Sequence, residues 1–342
     1  MTKPLRGNRA RSGAAPAQRW LAAVASASAT LLVITAVLVV AGLGAYFAPG
    51  PAAPNGATAT TVLLRKGAGL AEIAGELKRA GVIGNAPVFM ALAEVSGSAR
   101  KIKSGEYLTP SRASISTILK KLRNGDIVHH HLTVPEGASA KQVKDLLDHM
   151  DVLTGDTPDI EEGSVLPETY DVLRGETRTE VLKRMTDSMD RLLSQLWAKR
   201  QDGLPVHSPE EAVILASIVE KETAKESDRP RVAAVYINRL RIGMKLDADP
   251  TVIYGVTGGL PLGRGIRASE LAADTPYNTY LHKGLPPTPI CVVSLDALKA
   301  TMNPPAGNWL FFTLVSKDGT MAFSDTYDQQ LANQRLAASR GL

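Results

Sequence analysis

From residue 20 to residue 48 the chain carries no charged side chain, and its middle, from Leu31 to Leu43, is almost wholly aliphatic. A run of this length exceeds the roughly 20 residues that a helix needs to cross a bilayer core, so residues 20–48 are expected to form one transmembrane helix. Small residues between Gly42 and Ala48 are compatible with a cleavage site, but a signal peptide has a shorter apolar region, and an uncleaved anchor is the better reading. Lys3, Arg6, Arg9, Arg11 and Arg19 precede the run, with no acidic residue among them. By the positive-inside rule, residues 1–19 are a basic cytoplasmic segment, and everything beyond Gly50 lies on the outer, periplasmic face of the plasma membrane.

Those five cations carry the whole formal net charge of +5, and the remainder balances at 34 basic against 34 acidic residues. A neutral remainder gives no clustered positive field for phosphate, so no nucleic-acid partner is expected. With 342 residues, 44% hydrophobic and 21% charged, the chain is globular and long enough for two or more domains. Cys291 is the single cysteine. The exported part therefore relies on its core rather than on an internal disulfide, and the thiol reads as a small buried hydrophobe.

Residues 49–60, rich in Pro, Ala and Gly, show no apolar periodicity and read as a stalk. Next, a short strand at residues 62–64, helices carrying Leu70, Ile73 and Leu77 and then Phe89 and Leu92, and a strand at residues 105–109 give a β-α-α-β order, followed by a helix from Ser114 to Leu122. Residues 61–126 thus form a small module whose order of elements resembles the LysM-like units attached to some cell-wall enzymes. A structural α+β spacer fits the same order.

The domain expected over residues 127–342 opens with a strand at residues 127–134. Alternation places His129 and His131 on one face of it, but no acidic or cysteine partner sits at ligand spacing in sequence, and no metal or cofactor is implied. After amphipathic helices around Val143 and over residues 179–197 comes the densest stretch, residues 208–255. Ser208, Pro209 and Glu211 are a helix start with a capping box. Ile214, Leu215, Ile218 and Val219 then form an apolar stripe with Glu222 close to its centre, while Glu220 points to nearly the opposite side. Burial disfavours the charged form of a carboxyl group, so Glu222 fits a general acid near neutral pH. The same position also fits a structural ion pair, with Arg239 for example. A second helix ending near Arg241 presents Val232, Val235, Tyr236 and Leu240 inward, with Asn238 and Arg239 at its flanks. Asp249-Pro250-Thr251 reads as a turn leading to a short strand that ends at Tyr254-Gly255.

The segments Ala216-Ser217-Ile218-Val219-Glu220-Lys221-Glu222-Thr223, Asn238-Arg239-Leu240, Asp249-Pro250-Thr251-Val252-Ile253-Tyr254-Gly255, Tyr277-Asn278-Thr279-Tyr280 and Gly284-Leu285-Pro286-Pro287 resemble the YceG-like family of endolytic murein transglycosylases. The resemblance implies cleavage of the β-1,4 bond between N-acetylmuramic acid and N-acetylglucosamine inside peptidoglycan strands, leaving 1,6-anhydro ends. It implies one catalytic glutamate, Glu222, with the hydroxyl residue Thr223 directly after it. Glu220, Asn238, Asp249, Tyr254, Tyr277 and Asn278 are expected to line the glycan cleft or brace its loops. Peptidoglycan synthases are the partners that it implies. The chain departs from the family pattern at Asp247, at Gln330 and around Cys291. The expected architecture is therefore α+β: a single N-terminal transmembrane helix, a small LysM-like β-α-α-β module, and an α+β catalytic domain. A tethered glycan-binding protein without catalysis, and a hydrolase that uses water with Asp249 as its second carboxylate, are the rival readings.

Overall fold

The computed structural model describes residues 16–222 and 225–342, and it divides into two compact units between Val128 and His129. The basic segment expected over residues 1–19 lies mostly outside the described residues. The first unit opens with α1 (Pro16–Phe47), a helix of 32 residues whose aliphatic side chains, Leu31, Ile34, Leu38 and Leu43 among them, are exposed. An apolar helix exposed along most of its length suits lipid rather than water.

The segment expected as a stalk is bonded to its own unit instead. The Gly50 amide donates to Arg112 O at 3.2 Å, Arg112 N to Pro51 O at 3.0 Å and Ser111 N to Thr58 O at 2.8 Å. Ala53 N adds a bond to Ser111 Oγ at 2.9 Å. A Cβ on Gly50 would sit 2.4 Å from Ala113 O, so only glycine permits this approach. Backbone pairing of this kind leaves no side-chain periodicity, which is why composition alone suggested a free spacer.

In this unit β1 (Ala59–Leu64) pairs antiparallel with β2 (Gly105–Pro110), placing Val62 opposite Tyr107. Between them run α2 (Leu70–Arg79) and α3 (Ala86–Val95), and α4 (Ile115–Asn124) follows. Asn85 caps α3 through the amide of Val88, Ser114 caps α4 through that of Thr117, and Gly125, at φ 79°, ends α4 in the left-handed region. Leu64, Leu77, Phe89, Tyr107 and Leu122 fill a core between the hairpin and the helices.

In the second unit β3 (His130–Thr133) pairs antiparallel with β4 (Thr169–Val172), a shorter strand than expected. The ladder sets His131 opposite Asp171, whose Oδ1 lies 2.7 Å from His131 Nδ1, with His129 Nδ1 4.0 Å from Oδ2. The acidic neighbour that the local sequence lacked thus arrives from a strand some forty residues on. Capping boxes at Ser139/Gln142 and Thr177/Glu180 start α5 (Ala140–Asp148) and α6 (Arg178–Trp197), which close over Leu132, Val143, Val172, Val181 and Met185.

The larger core surrounds α7 (Pro209–Glu222), packed by α8 (Arg229–Arg241) and, further along the chain, α11 (Leu295–Met302). Ser208 caps α7 through the Glu211 amide at 3.2 Å, but the Glu211 carboxylate reaches past Ser208 to His207 N at 2.6 Å. The short strand expected to end at Tyr254-Gly255 is instead part of α9 (Asp249–Thr257), closed by Gly258 at φ 62°. Its β-branched residues read as a strand, yet an acid and a proline in the first turn are strong helix-start signals, and they prevail. A short α10 (Ala268–Leu271) precedes α11, and the chain ends with the hairpin β5 (Phe311–Leu314) and β6 (Met321–Ser324) and with α12 (Tyr327–Ser339). Cys291 is fully buried against the Ser217 carbonyl, and burial pushes its thiol well above the usual range, as a core position requires.

Candidate active site

Every residue of α7 from Ala212 to Glu220 is buried, so this helix has no solvent face for a carboxylate to use. Glu220 and Glu222, placed on different sides by helical phase, are buried and half-buried respectively, and they differ in their partners. Glu220 Oε1 lies 3.1 Å from Arg229 Nη2, and its Oε2 accepts from Ser294 N at 3.0 Å and from Ser294 Oγ at 2.5 Å. Ser294 is also the N-cap of α11. Both oxygens of Glu220 are thus committed to joining α7, α8 and α11, which leaves it buried and paired rather than at a cleft rim.

Among the described residues no cation is in contact with Glu222. It is the last residue of α7, half-buried, and its Oε1 accepts a 2.5 Å hydrogen bond from the Tyr236 hydroxyl on α8. Desolvation pushes its carboxyl up to about 7; the Tyr236 bond opposes this, the negative charge of Asp249 adds to it, and Arg239 opposes it from further away. The C-terminal end of a helix dipole also disfavours a carboxylate. Arg239 does not pair with Glu222: its Nε donates to Leu310 O at 2.7 Å and its Nη1 to Leu246 O at 2.6 Å. Thr223 lies outside the described residues.

Two segments bring further groups to this carboxyl. Asp249 is exposed at the start of α9 and accepts from the Tyr280 hydroxyl at 2.7 Å. Burial and the charges of Asp249, Asp247 and Glu222 raise Tyr280 above its ordinary range, so it remains a protonated donor. Asp247 holds a left-handed backbone at φ 45°, unusual for a residue with a side chain, and its Oδ2 lies 3.9 Å from Arg239. Thr279 stitches the two segments together, accepting from Ala248 N at 3.0 Å and meeting Thr251 Oγ1 at 2.9 Å. At Gly255 a Cβ would come within 2.7 Å of Thr275 Oγ1, so the close packing of α9 on this loop depends on glycine.

The other expected residues fall into two groups. Asn238 donates to Gly307 O at 2.9 Å and Trp309 O at 3.0 Å; Asn278, fully buried, donates to Leu271 O at 2.9 Å and Ala273 O at 2.8 Å and accepts from Tyr280 N at 3.0 Å. Both amides therefore brace loops. The rings of Tyr254 and Tyr277 meet at a tilt of 53° with centroids 4.8 Å apart, and their hydroxyls bond Glu162 Oε2 at 3.2 Å and Thr288 Oγ1 at 2.7 Å respectively. Burial raises the Glu162 carboxyl, against opposing bonds from Ala140 N and Tyr254 and the charge of Lys221. Beside this cluster opens a cavity of about 300 Å³, lined by Gly137, Gln142, Lys221, Pro250 and Tyr254 among others. Lys221 and Pro250 are the chain neighbours of Glu222 and Asp249.

Tyr236 and Glu162 were not singled out from sequence. Tyr236 read as one more apolar position on its helix; a buried tyrosine, however, needs a partner for its hydroxyl, and that requirement pointed to a nearby acceptor. Glu162 sits in a polar connection with no distinguishing pattern. Gln330 is a buried brace for the terminal hairpin, donating to Phe312 O at 3.2 Å and Thr313 Oγ1 at 2.5 Å and accepting from Ser324 Oγ at 3.1 Å.

The model of the YceG-like family matches residues 62–336. Among curated proteins the chain is similar to an endolytic murein transglycosylase of Bacillus subtilis strain 168, 26% identical over 325 residues, 85% of this chain and 88% of that one. It is 26% identical over 332 residues to an endolytic murein transglycosylase of Streptococcus pneumoniae serotype 2 strain D39, a match that covers 83% of this chain but 59% of the longer relative. The crystal structure of a YceG-like protein of Listeria monocytogenes superposes with a TM-score of 0.51 at 25% identity, covering 80% of this chain and 98% of that one.

Proposed function

The chain belongs to the YceG-like family, and from that premise we propose that it is a membrane-anchored endolytic transglycosylase that cuts peptidoglycan strands between N-acetylmuramic acid and N-acetylglucosamine. The observation that carries this reading is the Glu222 carboxyl, held up to about 7 by burial beside the Tyr236 donor. A group that titrates near neutrality serves as acid and as base in turn. Glu222 in its protonated form gives its proton to the glycosidic oxygen as the bond to muramoyl C1 breaks. The resulting carboxylate takes the proton of the muramoyl C6 hydroxyl as that oxygen closes on C1. The proton count balances, no water is consumed, and the product carries a 1,6-anhydro ring. Tyr236 orients the carboxyl, and Asp249 supplies negative charge near the cationic sugar that forms between the two steps.

A second reading has support in the position of Asp249, which is exposed and acts electrostatically on Glu222. Such a pair of carboxylates can activate water and leave a reducing end. Digestion of purified peptidoglycan by the detergent-solubilised full chain, followed by mass analysis, separates the readings. Anhydro ends support the transglycosylase and reducing ends the hydrolase, while a folded sample that binds glycan and releases no fragment supports a tethered binding protein. Within this proposal residues 20–48 span the plasma membrane with residues 1–19 in the cytoplasm, and the first unit acts as a LysM-like glycan-binding module. Protease accessibility in spheroplasts tests the orientation.

A further inference from the structure

The uncharged run of residues 20–48 is longer than its task requires: as a helix it extends about 43 Å, against about 30 Å for a hydrocarbon core. About 13 Å of apolar helix is therefore left for the headgroup region. The surplus meets protein at the C-terminal end of α1, where Tyr46 packs on the core of the first unit and residues 50–58 are hydrogen-bonded into it. With no free linker, the position of this unit relative to the bilayer surface is fixed by α1.

Along the same end of α1 runs a groove of about 490 Å³, lined by Thr35, Leu38, Gly42 and Tyr46 of α1 and by Leu92 and Val95 of α3. The apolar side of α3 continues outward from this groove. Val95, at its last turn, is 88% exposed, and Val88 is exposed as well. Directly after α3 come Arg100, Lys101 and Lys103, all exposed, and the one acid among residues 86–104 is Glu94. An apolar patch bordered by cations, continuous with a membrane-spanning helix, matches the two layers of a leaflet of acidic phospholipid: acyl chains, then phosphates.

We infer that the groove between α1 and α3 takes an acyl chain of a phospholipid from the adjoining leaflet, with Val95 immersed at the chain–headgroup boundary and Arg100 and Lys101 facing the phosphates. The inference rests on the reading of α1 as a membrane anchor. It makes the first unit a membrane-surface element and sets how far from the bilayer the chain emerges at Val128.

The full chain, reconstituted in vesicles of phosphatidylcholine and phosphatidylglycerol in equal parts, tests both ideas separately. A fluorophore is attached through Leu31→Cys or Val95→Cys in turn, the native Cys291 being buried, and quenched by lipids with nitroxides in the headgroup or along the chain, with nitroxide-free vesicles giving the unquenched level. The expected result is deep-chain quenching at residue 31 and headgroup and upper-chain quenching at residue 95. Arg100→Glu with Lys101→Glu is expected to cut the quenching at residue 95 by about half or more, since it sets two carboxylates where cations faced the anionic surface. Quenching at residue 95 no stronger than the nitroxide-free level, with residue 31 still quenched, overturns the inference and leaves the anchor standing. Loss of quenching at residue 31 overturns both.

Discussion

The Tyr236 hydroxyl donates a 2.5 Å hydrogen bond to Glu222 Oε1, across the junction between the end of one buried helix and the inner face of the next. That bond favours the charged form of a carboxyl group that burial otherwise holds up to about 7. Removing the donor should therefore raise Glu222 further. In Tyr236→Phe the alkaline limb of the kcat profile is expected to move upward by about one pH unit, because a hydrogen bond to a charged group is worth about 1.5 kcal/mol. The maximal rate should fall about tenfold as the carboxyl loses its orientation. A pH–rate series on both proteins checks this, and an unmoved alkaline limb would remove Tyr236 from the mechanism.

The same carboxyl makes the fold pH-sensitive in a defined direction. Its folded value, about 7, is above the ordinary 4.5, so between these values the folded state binds more protons than the unfolded chain. Stability from this group is then fully present below about 4.5 and declines as pH rises through about 7. The full difference is on the order of 3 kcal/mol. Glu222→Gln has no charge to bury, so it is expected to be more stable than the parent at pH 8 and nearly equal to it at pH 4.5, while losing all glycan cleavage. Thermal unfolding at the two pH values, with peptidoglycan digestion alongside, gives the comparison. A variant no more stable at pH 8 would mean that the Glu222 site solvates charge better than its burial suggests.

The placement of Glu222 on a helix between apolar neighbours was legible because periodicity of 3.6 residues is a local property, and capping signals, equally local, marked the start of α7. What was not legible depends on groups far apart in the chain. The fate of Glu220 is decided by Ser294, 74 residues on, and that of His131 by Asp171 across a ladder. Residues 50–58 looked like a spacer because their order comes from backbone bonds to residues 111 and 112. In α9 two local signals conflicted, β-branched residues against an Asp-Pro helix start, and packing of Thr251 and Val252 into the interior accompanies the helix.

Glu220, two residues from Glu222, should behave quite differently on substitution. Arg229 is buried with its Nε unpartnered, and Glu220 neutralises it together with the more exposed Glu136. Glu220→Gln leaves that cation largely uncompensated, which costs about 3 kcal/mol for a buried pair broken on one side. The expected outcome is a marked drop in unfolding midpoint, with cleavage per folded molecule reduced far less than in Glu222→Gln. Replacing both partners, Glu220→Gln with Arg229→Met, should recover part of the loss. A Glu220→Gln protein of parental stability and no activity would reverse the roles assigned to the two glutamates.

Asn278 offers the sharpest separation between lining a cleft and building one. Its side chain is fully buried; the two amide protons go to Leu271 O and Ala273 O and the oxygen to Tyr280 N. Tyr280 in turn holds Asp249. Asn278→Ala leaves Leu271 O and the Tyr280 amide without these partners and Ala273 O with the Thr275 amide alone, an expected loss of about 2 kcal/mol or more. Asn278→Asp has nearly the same shape but sets a carboxylate against two carbonyl oxygens, so it should be less stable than the alanine variant despite being the smaller change. A residue that only touched glycan would give the opposite ranking, with both variants as stable as the parent and affinity as the main casualty. Unfolding midpoints and peptidoglycan binding measured on the same three proteins decide between the two roles, and the ordering parent, Ala, Asp in stability is the one that this loop's hydrogen bonds require.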